Sequence, residues 1–145
     1  MSDIPNSLRR LVVHRAGNRC EYCGLAQQGQ EALFHVDHVL PRVAGGTTLP
    51  ENLALACASC SLRKGARSSA TDPETGHQTV LFNPRRDLWH EHFRWDGLRL
   101  VGLTACGRAT VEALKMNRPL VLAIRDEELA RGRHPPPPPP PRSIS

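Results

Sequence analysis

Two Cys-x-x-Cys pairs, Cys20/Cys23 and Cys57/Cys60, are the residues of this 145-residue chain best suited to chemistry. Each pair closes a tight turn that aims two sulfurs the same way, and two such turns can set four thiolates tetrahedrally around one Zn²⁺. Gly24, directly after the first pair, helps the backbone bend. Sulfur would fill every coordination position, so the expected role of that ion is structural. The alternatives are four buried structural cysteines without metal, or a redox Cys-x-x-Cys, which calls for a thioredoxin-like βαβ pattern that the sequence does not show. The fifth thiol, Cys106, has no partner in this scheme and reads as a buried apolar residue. Between the pairs lies His35-Val36-Asp37-His38, with three potential ligands or bases in four residues. In a strand, His35 and Asp37 share one face, and His38 takes the other among Phe34, Val36 and Leu40. A histidine on an apolar face needs a partner or a task.

These side chains must be positioned by short elements. Residues 7–17 read as an amphipathic helix, capped by Ser7, with Leu8, Leu11 and Val12 on one face and Gly17 at its end. Strand formers dominate 33–40 until Pro41, a loop follows over 42–48, and Leu53–Ala56 is a second short strand. The polar run 61–67 opens a helix, and the first unit ends there. Residues 68–79 read as a crossing loop. Further on, Phe93-Arg94-Trp95, an Asp96-Gly97 turn and Leu98–Val101 give a hairpin signal. Helices are expected around Val111–Lys115 and from Pro119 to Gly132. The expected organisation is therefore 1–67, an accessory hairpin-plus-helices region 68–132, and a disordered proline-rich tail 133–145. That tail reads as a solvated spacer or as a ligand for a proline-binding partner.

Composition bounds the rest. Aromatics make up only 4% of the chain, so the core is small, and zinc binding worth on the order of 10 kcal/mol would offset that. The longest apolar run, Leu120–Ile124, falls far short of the ~20 residues that span a bilayer. The first residues lack the apolar stretch of a signal peptide, so a cytoplasmic location is expected. Of the 19 basic residues all but Lys64 and Lys115 are Arg, and the formal charge is +5, falling to about +3 with a zinc tetrathiolate. The guanidinium bias suits phosphate.

Asp37-His38-Val39-Leu40-Pro41, Gly45-Gly46-Thr47, Glu51-Asn52-Leu53-Ala54-Leu55 and Cys57-x-x-Cys60 followed by Arg63-Lys64-Gly65 together resemble the HNH endonucleases of the zinc-knuckle type. The motif resemblance covers 20–65. A looser likeness to a bacterial subgroup continues through Asp72-Pro73-Glu74-Thr75-Gly76, Leu81–Arg85, Glu91-His92-Phe93 and Gly107–Val111. The resemblance implies an α+β protein built on a ββα-metal core. It also implies hydrolysis of nucleic-acid phosphodiesters, DNA first, with a divalent ion such as Mg²⁺, leaving 5′-phosphate and 3′-hydroxyl ends.

In that reading His38 is the general base, since neutral imidazole accepts a proton near pH 7. Asp37 holds the divalent ion through hard oxygen. Asn52 pins the loop that orients His38, or is an ordinary turn residue. His35 assists the ion, contacts a phosphate or fills the outer face. The family carries Asn or His after its second knuckle, where this chain has Ser61, a shorter and poorer ligand for the same ion. Arg42, Arg63, Lys64 and Arg67 are phosphate contacts or a solvated basic face, and Arg9, Arg10, Arg15 and Arg19 extend the patch. Of the few aromatics, Tyr22 is a candidate base-stacker, while Trp89 and Trp95 are simplest as core. The competing reading, prompted by Ser61, is a zinc-dependent nucleic-acid-binding module with weak or no catalysis.

Overall fold

Leu8 and Val12, two of the three residues expected on one helical face, turn toward the core in α1 (Asn6–Arg15) of a computed structural model that describes residues 4–138, whereas Leu11 is exposed. Val12 is fully buried, and Leu8 and Val13 pack beside it. The helix starts one residue earlier than expected, after Pro5, and Ser7 lies inside its first turn instead of capping it. Proline's fixed φ presets the entry without a side-chain cap. Arg9 and Arg15 leave the helix to donate to the carbonyls of Phe34, Pro50 and Leu53 at 2.6–3.0 Å. Those guanidiniums therefore bind α1 to the strands and do not extend a phosphate patch. Arg19 likewise donates to Gly24 O.

The strands β1 (His35–His38) and β2 (Leu53–Ala56) pair antiparallel, with Asp37 opposite Ala54 and His38 opposite Leu53. All four residues of β2 are fully buried. Both its faces are therefore covered, which explains an unbroken Leu-Ala-Leu-Ala run where a half-exposed strand would alternate. The helix α2 (Ala58–Lys64) begins inside the second cysteine pair, a turn earlier than expected from the polar run. Cys57 is its N-cap, and its sulfur accepts from Cys60 N at 3.4 Å.

Residues 68–79 form a hairpin and not a crossing loop: β3 (Ser69–Thr71) pairs with β4 (Gln78–Val80). The organiser is Asp72, whose side chain has no exposed surface. Its carboxylate accepts from Glu74 N and Thr75 Oγ1 within the turn, and from Arg108 Nε and Nη2 at 3.0 and 2.9 Å. The Arg108 guanidinium holds the Asp72 carboxyl well below the usual carboxylate range. A depressed folded pKa stabilises the native state above the unfolded value near 4, and that contribution disappears as pH falls through the folded value. Asp72→Asn is therefore expected to melt several degrees below the native chain at pH 7. The gap should begin to narrow only as both are titrated below about pH 4, and should close only as the pH reaches the depressed folded value; a gap independent of pH would show that the charge of Asp72 is not what holds the turn.

Beyond a short helix α3 (Trp89–His92), β5 (Phe93–Asp96) and β6 (Arg99–Gly102) form the expected hairpin. Asp96 pairs with Arg99, so the two-residue turn is Gly97-Leu98, one position later than its sequence signal, with Gly97 at φ +60°. The helices α4 (Ala105–Ala113) and α5 (Pro119–Ala130) complete the chain. A Cβ at Gly107 would lie 2.1 Å from His92 O, so only glycine lets α4 seat this closely.

One apolar core joins the two regions separated at 67/68. Val12, Leu53, Leu55 and the four knuckle cysteines belong to the same buried cluster as Phe82, Phe93, Leu100 and Leu114. Trp89 and Trp95 pack against it. Packed chain also continues past residue 132: His134 is buried, meets the Trp95 ring edge-on and contacts Gly97 O at 2.9 Å. The remainder of the expected tail, 139–145, lies outside the described residues. Among the described residues no helix is long and apolar enough to cross a membrane.

Candidate active site

The two cysteine turns meet. The sulfurs of Cys20, Cys23, Cys57 and Cys60 all lie within 4.8 Å of one another, and all four residues are buried. Cys23 Sγ and Cys57 Sγ are 3.8 Å apart, far beyond a disulfide bond. A tetrahedral ion with metal–sulfur bonds of about 2.3 Å has sulfur–sulfur edges of about 3.8 Å. The donor set and its spacing therefore fit a metal ion. Cys106 is elsewhere, half-buried, with donor atoms of Asp87 and His92 within 4.8 Å. Asp87 is already engaged there by Asn83 N and Arg86 Nε.

β1 leads from this scaffold to an open depression of about 280 Å³, bordered by His35, Asp37, His38, Arg42 and Ser61. Asp37 and His38 are neighbours on one strand, yet both reach this depression. Asp37 is 9% exposed and is the inward-facing member of the pair. Tyr22 OH donates to its Oδ2 at 2.8 Å, and Lys64 Nζ stands 3.2 Å from the same oxygen and 3.5 Å from Oδ1. Burial pushes the Asp37 carboxyl up, and Lys64 and Tyr22 oppose that rise.

His38 is half-buried, with Nε2 2.9 Å from Thr48 Oγ1. Burial first, then the Arg42 charge, lowers its pKa, while Asp37 raises it. The Thr48 loop is fixed by Asn52, whose Oδ1 accepts from Leu40 N and whose Nδ2 donates to Leu40 O and Thr47 O, all at 2.9–3.0 Å. Asn52 thus holds both ends of the turn that carries the partner of His38. Gly46 makes the turn possible: a Cβ there would stand 1.7 Å from Leu40 O.

Ser61 borders the depression from the first turn and a half of α2, with its backbone N bonded to Cys57 O. It is not an N-cap, so its hydroxyl is not needed to start the helix. His35 is exposed at the outer end of β1. Arg42 is exposed on the 3₁₀ turn Arg42–Ala44.

Lys64, expected at phosphate, is instead 1% exposed, and its ammonium is committed to Asp37 and to His38 O at 3.0 Å. Arg67 is exposed but donates to Arg63 O and Ala113 O, tying the end of α2 to α4. Tyr22 is 1% exposed and serves Asp37; it is not available to stack on a base. Reasoning from sequence therefore missed three positioning partners, Tyr22, Lys64 and Thr48. Only Tyr22 had a usable signal, because its place inside the first knuckle fixes it beside the metal scaffold.

The model of the HNH endonuclease family matches residues 20–67. That span runs from the first knuckle to the end of α2 and contains the four clustered cysteines and the depression's Asp37, His38 and Ser61. The match suggests nuclease-type chemistry on nucleic acid for this segment. No curated protein and no solved structure matches the chain.

Proposed function

We propose that the chain is a metal-dependent HNH endonuclease that hydrolyses phosphodiester bonds of DNA. In this reading β1, β2 and α2 form a ββα-metal core, and Cys20, Cys23, Cys57 and Cys60 hold a structural Zn²⁺. The observation that carries the proposal is the shared depression. It joins an imidazole, a carboxylate and an exposed guanidinium, which are what in-line attack on a phosphate requires.

His38 takes a proton from a water aligned with the phosphorus, and the water oxygen forms the new P–O bond. The P–O3′ bond breaks, and the departing O3′ gains a proton from solvent. Asn52 and Thr48 keep the His38 ring in line for this transfer. Arg42 binds a non-bridging phosphate oxygen, and His35 borders the same depression, whose lining does not include Arg63. Asp37 and Ser61 supply two hard oxygens. This set fits Mg²⁺, which keeps several of its own waters. When bound, that ion supplies positive charge where negative charge builds on the phosphate.

The test is supercoiled plasmid incubated with the purified chain in Mg²⁺, in Mn²⁺ and in EDTA. Nicking in the divalent ions and none in EDTA is expected. One observation favours a second reading, a binding module that does not cleave: both oxygens of Asp37 already face Lys64. Retarded plasmid with no nicking in either ion would establish that reading.

Ser61→Asn is expected to lower the Mg²⁺ concentration for half-maximal nicking severalfold, because an amide oxygen reaches farther than a hydroxyl and is a better ligand. An unchanged Mg²⁺ titration in a folded variant would remove position 61 from the ion's surroundings.

A further inference from the structure

Arg125 lies in the middle of α5, a helix to which the nuclease reading gives no task. It is 4% exposed, although a guanidinium is always charged and costly to bury alone. Part of its hydrogen bonding is accounted for. Nη1 donates to Leu98 O at 2.9 Å and Asn117 Oδ1 at 3.2 Å, and the guanidinium carbon lies 5.0 Å over the Trp95 ring. Nη2 is sealed from solvent and has no hydrogen-bond partner among the described residues. Among the described residues no carboxylate pairs with it. Glu128, on the same helix, is clamped by Arg133 at 2.7 Å.

The missing counter-charge lies across a small cavity. Arg125 borders the same small, partly open space, about 60 Å³, as Cys23, Cys57 and Cys60. Four thiolates around a divalent cation carry a net charge of −2, buried here with little water to screen it. A buried dianionic centre and a buried guanidinium with an open N–H each solve the other's problem. Three other arginines border the cavity, but Arg19 donates to Gly24 O, Arg118 donates to Ser59 Oγ and Arg133 is paired with Glu128. All three are only partly buried, so water screens their charge. Arg118 Nε also lacks a partner among the described residues.

We propose that Arg125 is the counter-cation of a metal tetrathiolate formed by Cys20, Cys23, Cys57 and Cys60, so that metal binding docks α5 against the knuckles. The inference rests on the zinc reading above and gives the C-terminal helix a role in holding the ion. Burial lowers the pKa of the guanidinium, and the charges of Cys23, Cys60 and Cys57 oppose that fall.

The experiment measures zinc content and the rate of zinc transfer to an excess of a coloured chelator, using the full chain at neutral pH. The native chain should carry one zinc. Arg125→Gln should release it at least about tenfold faster, and Arg125→Lys, which keeps the charge, should stay within about threefold of the native rate. A folded Arg125→Gln that releases zinc at the native rate overturns the inference. So does a folded Arg125→Lys that releases it about tenfold faster, since packing and not charge would then be responsible. The Lys variant decides the matter if the Gln variant does not fold. A native chain that carries no zinc overturns the metal reading itself, a failure distinct from either variant result.

Discussion

His38→Ala is expected to lower nicking of supercoiled plasmid in Mg²⁺ by about 10²–10⁴-fold, the contribution of a positioned general base. Binding and folding should be nearly untouched. The imidazole is half-buried, and its described side-chain partner is Thr48 Oγ1, which can turn to water when the ring is gone. The loop itself does not depend on the ring, because Asn52 holds Leu40 and Thr47 through three bonds of its own. The variant should therefore keep the native melting temperature and retard plasmid as well as the native chain does. Thr48→Ala, which frees the ring without removing it, should cost much less than His38→Ala. If His38→Ala nicked at the native rate, another group would have to activate the water, and the depression would no longer explain the reaction.

The contrast between the cysteine turns and Asp37 shows what can be read before a structure is known. Residue types and spacing were enough to place the two cysteine turns, β2 and the β5–β6 hairpin. Each rests on local chemistry: a Cys-x-x-Cys turn, an apolar run, a turn glycine. The loop contacts of Asn52 are also local, since an amide after a proline turn can reach both strands of its own loop. Asp37 is different. Alternation alone put it on the polar face with His35, but Tyr22 and Lys64, distant in sequence, draw it inward. The same long-range pairing removed Lys64 and Arg15 from any basic surface. In the 68–79 hairpin, the deciding partner of Asp72 is Arg108, on a helix 36 residues away. Charged residues have no periodicity that reveals which of them will be buried in pairs, so this layer of the fold stays hidden in one sequence.

Cys57→Ser is expected to abolish cooperative thermal unfolding of the whole chain together with its zinc content. Serine is among the best helix N-caps, so the substitution preserves the cap that Cys57 provides to α2 and removes chiefly a metal ligand. Structural zinc contributes on the order of 10 kcal/mol, and a domain is stable by only about 5–15 kcal/mol in total. Losing one of four ligands should therefore exhaust most of the margin. The damage should reach far, because the cysteines share their core with Phe93, Leu100 and Leu114. It should also reach the depression: β2 runs directly into Cys57 and is the strand that pairs with Asp37 and His38. Nicking would then be lost with Mg²⁺ still in excess. EDTA cannot separate these causes, since under the proposed function it would strip the structural and the hydrolytic ion alike. Cys106→Ser is the control; its sulfur lies outside the four-cysteine cluster, so zinc content and melting should stay near native. A Cys57→Ser chain that melts cooperatively within a few degrees of the native one would mean that the four sulfurs hold together without a metal, by packing alone.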